Sequence, residues 1–134
     1  MNNRRLSLQS LLALDAATCA AMGGALLLGA DAISGVTKIP DSLLFWAGAS
    51  LMPVAAFMAI SSRAMPVPGW AAALVVLGNL LWIMASIVLP LAGLIAPNPL
   101  GWAFLIGQAV IVAIVTSLEF NASRSSAAAT QPAR

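Results

Sequence analysis

Histidine is absent from this sequence, and cysteine occurs once, at Cys19. Without histidine, the chain offers no histidine ligand for a haem or a zinc ion. A single cysteine permits neither an internal disulfide bond nor a Cys-x-x-Cys redox pair. The G-x-S-x-G nucleophile elbow, the H-E-x-x-H zinc motif and the phosphate-binding loop are missing as well. We therefore expect a protein that is not an enzyme and that holds no metal and no cofactor.

Charged side chains are also scarce. Asp, Glu, Lys and Arg make up 7% of the 134 residues, whereas a soluble domain carries about a quarter. Hydrophobic residues make up 61%, and the mean hydropathy is +0.99. Since a helix needs about 20 apolar residues to cross the hydrocarbon core, the chain has room for four crossings and little else. The sequence predicts an all-α, polytopic membrane protein in a lipid bilayer, and its net charge of +2 gives no indication of a nucleic-acid partner.

Proline, glycine and charged residues separate the apolar runs and mark the loops. We predict four transmembrane helices in an antiparallel bundle, which form one domain over residues 1–122. Their bounds are about residues 6–30, 42–62, 70–94 and 100–121. Segment 123–134 is rich in Ser, Ala and Thr, which predicts a disordered cytoplasmic tail. Pro53 lies near the middle of the second helix, where a proline removes a backbone hydrogen bond and kinks the helix.

The positive charges predict the orientation in the membrane. With an even number of crossings, both termini lie on one side. The arginines of that side are Arg4, Arg5, Arg63, Arg124 and Arg134. The opposite side has only Lys38. Because positive residues concentrate in cytoplasmic loops, we expect both termini to lie in the cytoplasm, with the protein in a bacterial inner membrane.

Polar side chains from three helices fall at a similar depth. Asp15 and Asn79 each lie about nine residues, or about 13 Å, into a helix that starts on the same side. Gln108 lies slightly deeper in the fourth helix, and Trp82 is close to Asn79 on one helix face. An aspartate in the bilayer is costly unless it is paired, protonated or hydrated, and no Lys or Arg falls at its depth. We therefore predict a buried polar cluster in which Asp15 is protonated or hydrogen-bonded to Asn79 and Gln108.

This cluster has two interpretations. In the structural one, its members hold the helices together through interhelical hydrogen bonds, as buried amides in membrane bundles do. In the functional one, it forms a site for a proton or a ligand in a small transporter. Asp15 keeps the second interpretation open, because an ionisable group is a more expensive link between helices than an amide.

Small residues recur at every fourth position of the first helix. They are Ala17, Ala21, Ala25 and Gly29. Such a face lets another helix backbone approach closely in lipid, so we predict a helix-packing surface there.

Glu119 lies near the predicted end of the fourth helix, where the helix dipole disfavours an acid. Arg5 and Arg63 fall at a suitable level of the membrane to neutralise it. We predict an interfacial salt bridge between Glu119 and one of these arginines.

Several short motifs carry a resemblance that spans about residues 11–120. They are Leu14-Asp15, then Asn79-Leu80-Leu81-Trp82 with Ser86, then Gln108-Ala109 and Leu118-Glu119-Phe120. In this order they resemble a set of small four-helix bacterial inner-membrane proteins of unknown function. The resemblance implies a location and no activity. The plan is also similar to that of the small multidrug resistance transporters, in which an acid lies midway along the first of four helices, although Asp15 stands where they have glutamate.

Three functions are compatible with these features. The first, which we expect, is a non-enzymatic partner-binding or assembly subunit, in contact with a second copy of itself or another membrane protein through its small-residue faces. The alternative is a proton-coupled transporter of a small cationic or amphipathic molecule that works as a dimer. A membrane enzyme or redox subunit is disfavoured by the missing ligands.

Overall fold

A computed structural model describes residues 7–129 of the chain. Within that range the backbone forms four α-helices and no β-strand. The helices are α1 (Leu8–Thr37), α2 (Asp41–Ser61), α3 (Gly69–Leu91) and α4 (Pro99–Ala129). By length and composition, all four are long and apolar enough to cross a membrane. The prediction of an all-α chain with four candidate membrane spans is therefore confirmed.

The first helix continues past residue 30, where the sequence predicted its end. It reaches Thr37, whose hydroxyl donates to the Ile33 carbonyl oxygen at 2.7 Å. Lys38 then adopts a left-handed conformation, and its N–H bonds to the Ser34 carbonyl. Asp31 lies within the helix, and its side chain is exposed.

The fourth helix also runs further than predicted. Residues 123–129, expected to be disordered, continue α4 to Ala129, whereas residues 130–134 lie outside the described residues. Alanine has the highest helix propensity, and the hydroxyls of Ser125 and Ser126 donate to carbonyls one turn earlier, at 3.0 Å each. The Arg124 guanidinium lies 5.8 Å from the centre of the Phe120 ring and adds a cation–π contact.

The helices pack mainly in three pairs: α1 with α2, α3 with α4, and α1 with α4. Helices α1 and α2 approach each other closely at Gly23 and Gly48. A Cβ atom added to Gly48 would meet the Gly23 carbonyl oxygen at 2.8 Å, and one added to Gly23 would meet Met52 Cε at 2.7 Å. Only glycine permits this contact between the two backbones. From the three packed pairs, the helices follow one another in space in the order α2, α1, α4, α3.

Two apolar clusters form the core. One contains Leu8, Leu12, Ala16, Met58, Ala72 and Val75, and the other contains Leu26, Ala30, Ile39, Leu44, Leu51, Ile95 and Leu105. Cys19 packs against both clusters. The turn of α1 that contains Asp15 and Cys19 therefore lies where the two clusters meet.

Asn98 joins the end of α1 to the start of α4. Its side-chain Nδ2 donates to the Val36 carbonyl oxygen at 2.6 Å, and its backbone N–H donates to the Thr37 carbonyl oxygen at 3.0 Å. Its Oδ1 accepts from the Gly101 N–H at 2.8 Å, which caps the first turn of α4. These bonds fix the position of α4 along α1.

Candidate functional site

The structure brings Asp15 and Asn79 together between α1 and α3. The Asp15 side chain is 4% exposed, and Asn79 is 8% exposed. Asn79 Nδ2 donates to Asp15 Oδ2 at 3.1 Å. The Cys19 thiol, one turn along α1, lies 3.8 Å from Asp15 Oδ1 as a second, weaker donor. Both carboxyl oxygens of Asp15 therefore face a hydrogen-bond donor.

Glu119 belongs to the same cluster as Asp15 and Asn79. It is 1% exposed, and its Oε2 accepts from Asn79 Nδ2 at 3.2 Å. Arg63 is exposed, and within residues 7–129 it makes no ion pair with Glu119. Arg5 lies outside the described residues, so the predicted salt bridge to Arg5 stays a prediction. Because α4 continues to Ala129, Glu119 lies well inside the helix rather than in its last turn.

One amide nitrogen therefore bridges two acids from different helices. The Asn79 NH₂ group has two hydrogens, one for each of Asp15 and Glu119. Among residues 7–129 no lysine or arginine pairs with either acid. Two adjacent carboxylates in a medium of low dielectric constant repel each other strongly. This arrangement favours a bound positive charge, which either a proton or a cation supplies.

Two oxygen atoms of α4 have spare acceptor capacity. Glu119 Oε1 and Thr116 Oγ1 are buried, and neither has a hydrogen-bond partner within the described part of the chain. They are three residues apart, so they lie on one face of the helix. A buried acceptor without a donor costs about 1–3 kcal/mol, which a proton on Glu119 or a bound donor would recover.

Asp15 and Asn79 line a cavity of about 150 Å³ between the helices. Its wall includes the two remaining members of the predicted cluster, Trp82 and Gln108. The other residues of the wall are Thr18, Cys19, Met22, Ser50, Leu51, Val54, Gly78, Ile111 and Val112. All four predicted cluster residues thus share one cavity.

From its depth, Gln108 was expected to form a hydrogen bond with Asp15. In the structure it does not. Its Nε2 donates instead to Ser86 Oγ at 3.5 Å, and the Ser86 hydroxyl donates to the Trp82 carbonyl oxygen at 2.8 Å. Gln108 lies three turns, about 16 Å, before Glu119 on α4. It therefore belongs to a different level from the acids.

The remaining predicted residues lie outside this cavity. Ala17, Ala21 and Ala25 are exposed and Gly29 is half-buried, so this face of α1 does not pack against α2–α4. Its role as a contact surface stays a prediction. Pro53 is exposed, and α2 continues through it as one helix.

Searches against protein-family models, curated proteins and solved structures find no match to this chain. The resemblance to small four-helix bacterial membrane proteins therefore stays a prediction. Any functional conclusion depends on the chemistry of the site itself.

Proposed function

We propose that this protein is a proton-coupled transporter of a small cationic or amphipathic molecule. The observation that carries the proposal is the pair of buried acids, Asp15 and Glu119, on one Asn79 nitrogen. Asp15 also lines the cavity, so one acid of the pair borders a space that a ligand can occupy. A purely structural link between helices would need only amides or hydroxyls, which cost less in a bilayer.

The acid pair supplies the coupling. A proton and a cation each relieve the repulsion between the two carboxylates, so both are attracted to the same charge and each weakens binding of the other. Loading the cation therefore releases a proton, and loading a proton releases the cation. Alternation between the two forms is the elementary requirement of proton–cation exchange.

The cavity suits a small organic cation. Its volume of about 150 Å³ is that of a small molecule, and the Trp82 side chain adds an aromatic surface of the kind that binds quaternary ammonium groups. Four helices enclose little space on their own, which is why we propose a homodimer as the working unit.

We infer further that the helices form an antiparallel bundle in a bacterial inner membrane, with both termini in the cytoplasm. Arg63 between α2 and α3 and Arg124 in α4 would lie on the cytoplasmic side, and Lys38 after α1 on the other. Two variants with a single cysteine, Arg63→Cys and Lys38→Cys, each in a Cys19→Ser background, test this orientation. In intact cells a membrane-impermeant thiol reagent should label only the Lys38→Cys variant. Labelling of the Arg63→Cys variant alone would mean that the orientation is the opposite of the one inferred.

The coupling is tested by proton release from purified protein in weakly buffered detergent solution. Adding tetramethylammonium should release about one proton per cation bound if both compete for one site. Asp15→Asn and Glu119→Gln should each reduce the release, whereas Asp31→Asn, an exposed acid on the same helix as Asp15, should match the wild type. Equal release from all four proteins, or binding without release, would overturn the proposal.

A second candidate function is that of a partner-binding or assembly subunit. The observation that favours it is the exposed stripe of Ala17, Ala21 and Ala25, which no other helix of the described chain covers. Sedimentation of the wild type and of Ala21→Ile in detergent tests self-association through this stripe. A wild-type dimer that dissociates in Ala21→Ile supports the stripe as a contact, and an unchanged sedimentation coefficient argues against it.

A further inference from the structure

The surface between α3 and α4 carries a groove of about 410 Å³. It lies at the end of the helices where α3 begins and α4 ends, because its wall runs from Gly69 to Leu80 on α3 and from Phe120 to Ala127 on α4. None of its wall residues lines the cavity at Asp15. This α3–α4 groove is therefore separate from the acid pair.

Most of the α3–α4 groove is apolar. Its α3 side has the small residues Ala72 and Ala73 near the start of the helix, and Leu77 and Leu80 further along. Leu77 is 53% exposed, so the groove is open on its outer side. The helix rises about 16 Å between residues 69 and 80, which is close to the depth of one leaflet, half of the hydrocarbon core of about 30 Å.

One charged side chain, Arg124, lies in the wall of the α3–α4 groove. It is exposed, and its guanidinium lies 5.8 Å from the centre of the Phe120 ring, which lines the same groove. No acid of residues 7–129 forms an ion pair with it. The dipole of α3 adds a partial positive charge at the same end, because that helix starts at Gly69 without a side-chain cap. The groove is thus apolar along its length and positive at one end.

A groove beside the connection between α1 and α2 has the opposite charge. Its wall contains Asp31 and Asp41 and no basic residue, whereas the α3–α4 groove contains Arg124 and no acid. Both grooves have apolar walls for the rest of their surface, apart from the hydroxyls of Ser42 and Ser123. Charge complementarity therefore selects an anionic occupant for the α3–α4 groove alone.

We propose that the α3–α4 groove binds an anionic phospholipid, with the phosphate at Arg124 and one acyl chain along Ala73, Leu77 and Leu80. A guanidinium matches the oxygens of a phosphate with paired hydrogen bonds. Basic pockets beside transmembrane helices bind anionic headgroups in this way. The inference is independent of the proposed function, because the groove contains neither acid of the pair.

Trp70 marks the level of the headgroups. It lies in the first turn of α3 and is 64% exposed, and tryptophan concentrates where the bilayer meets water. Gly69, its neighbour in the chain, lines the same groove as Arg124. The positive end of the groove therefore lies at the depth of the phosphates, and its apolar part lies at the depth of the acyl chains.

A second copy of the chain suits this groove less well than a lipid. In a symmetric dimer both subunits use the same surface, so an interface at the groove would bring the Arg124 of both copies together. Neither groove contains an acid to neutralise them. A phospholipid supplies both the negative charge and the apolar chain.

The experiment measures lipid binding to the purified full chain in nonionic detergent by native mass spectrometry. The chain is titrated with equal amounts of dioleoylphosphatidylglycerol, which is anionic, and dioleoylphosphatidylcholine, which is zwitterionic and has the same acyl chains. The first lipid to bind should be phosphatidylglycerol, with an affinity about fivefold higher, since a basic residue near the membrane surface contributes about that factor.

Two pairs of variants test the two ends of the groove. Arg124→Gln should lower the affinity for phosphatidylglycerol about fivefold, whereas Arg63→Gln, an exposed arginine outside the groove, should leave it within about twofold. Ala73→Leu narrows the apolar part and should lower the affinity for both lipids by at least about threefold. Ala56→Leu is its matched control, because Ala56 is an exposed alanine of α2 at a similar depth and outside the groove.

Each variant should unfold at the wild-type temperature in lipid-free detergent, so that a loss of binding is not a loss of fold. Equal affinity for the two lipids, or an equal loss in Arg63→Gln and Arg124→Gln, would overturn the proposal and leave an unselective shell of lipid. Displacement of the lipid by an equal concentration of glycerol 3-phosphate would also overturn it, because the acyl chain would then contribute nothing. A wild-type dimer that binds no lipid would mean that a second copy covers the groove. None of these results changes the expected proton release by tetramethylammonium.

Discussion

Asp15 on α1 and Glu119 on α4 accept hydrogen bonds from one nitrogen atom, Nδ2 of Asn79, at 3.1 and 3.2 Å. This relationship joins three helices at one point. It also places two acids where neither has a basic partner within the described chain. Stability and the proposed ligand binding should therefore depend on the same three side chains, and substitutions in them should separate the two effects.

Asn79→Ala removes the shared donor and should destabilise the protein by about 2–4 kcal/mol, because two buried acids lose a hydrogen bond at once. Thermal unfolding in detergent measures the loss. Asn121→Ala, an exposed asparagine of α4, is the matched control and should change stability by less than about 0.5 kcal/mol. A loss from Asn79→Ala no larger than that of the control would contradict the bridging role of Asn79.

Glu119→Gln should leave the protein as stable as the wild type, or more stable by about 1 kcal/mol. The amide keeps the shape and an oxygen acceptor for Asn79, gains a donor for the neighbouring Asp15, and removes one of two like charges. Glu119→Ala loses that packing and should be less stable by about 2 kcal/mol. Unfolding curves of the two variants check the order, and Glu119→Gln falling below Glu119→Ala would contradict it.

Much of the fold follows from hydropathy, because a bilayer requires about 20 apolar residues per crossing and the sequence holds four such runs. Counting residues from the helix starts also brought Asp15 and Asn79 to one depth, and the structure has them in contact. The four crossings and the shared depth of Asp15 and Asn79 could be predicted because they depend on distances along a single helix, which a constant rise per residue fixes.

Hydropathy located the ends of the helices less well. It detects where apolar residues stop, whereas a helix continues as long as its backbone bonds and local propensity allow. Ending the fourth helix at residue 121 put Glu119 near its last turn, whereas α4 continues to Ala129. The sequence signal for the longer helix was the alanine-rich segment 123–129, which α4 includes. The contact between α1 and α2 at Gly23 and Gly48 could not be predicted from the sequence, because its prediction requires knowledge of which helices pack together.

Gly48→Ala should destabilise the protein by about 1–3 kcal/mol, the typical cost of overpacking. The new methyl group would lie 2.8 Å from the Gly23 carbonyl oxygen and 3.0 Å from the Leu27 nitrogen, so backbone must move. Gly24→Ala is the matched control, because nothing lies within 4 Å of the added carbon. It should stabilise α1 by up to about 1 kcal/mol through helix propensity. Equal unfolding temperatures for the two variants would mean that α1 and α2 do not meet at Gly48.

Asn98 offers a test of how α1 and α4 are held in register. Asn98→Ala removes the donor to the Val36 carbonyl and the acceptor for the Gly101 N–H, and should cost about 1–2 kcal/mol, as loss of a helix cap does. Asn98→Asp retains the acceptor at the start of α4, where the helix dipole favours a negative charge, and loses only the side-chain bond to the Val36 carbonyl of α1. Its stability should therefore lie between those of the wild type and Asn98→Ala.

Because the register of α1 and α4 aligns Asp15 with Glu119, proton release by tetramethylammonium should weaken in both variants, including Asn98→Asp with its intact cap. Full proton release from Asn98→Asp would show that the acid pair is aligned by Asn79 and helix packing alone.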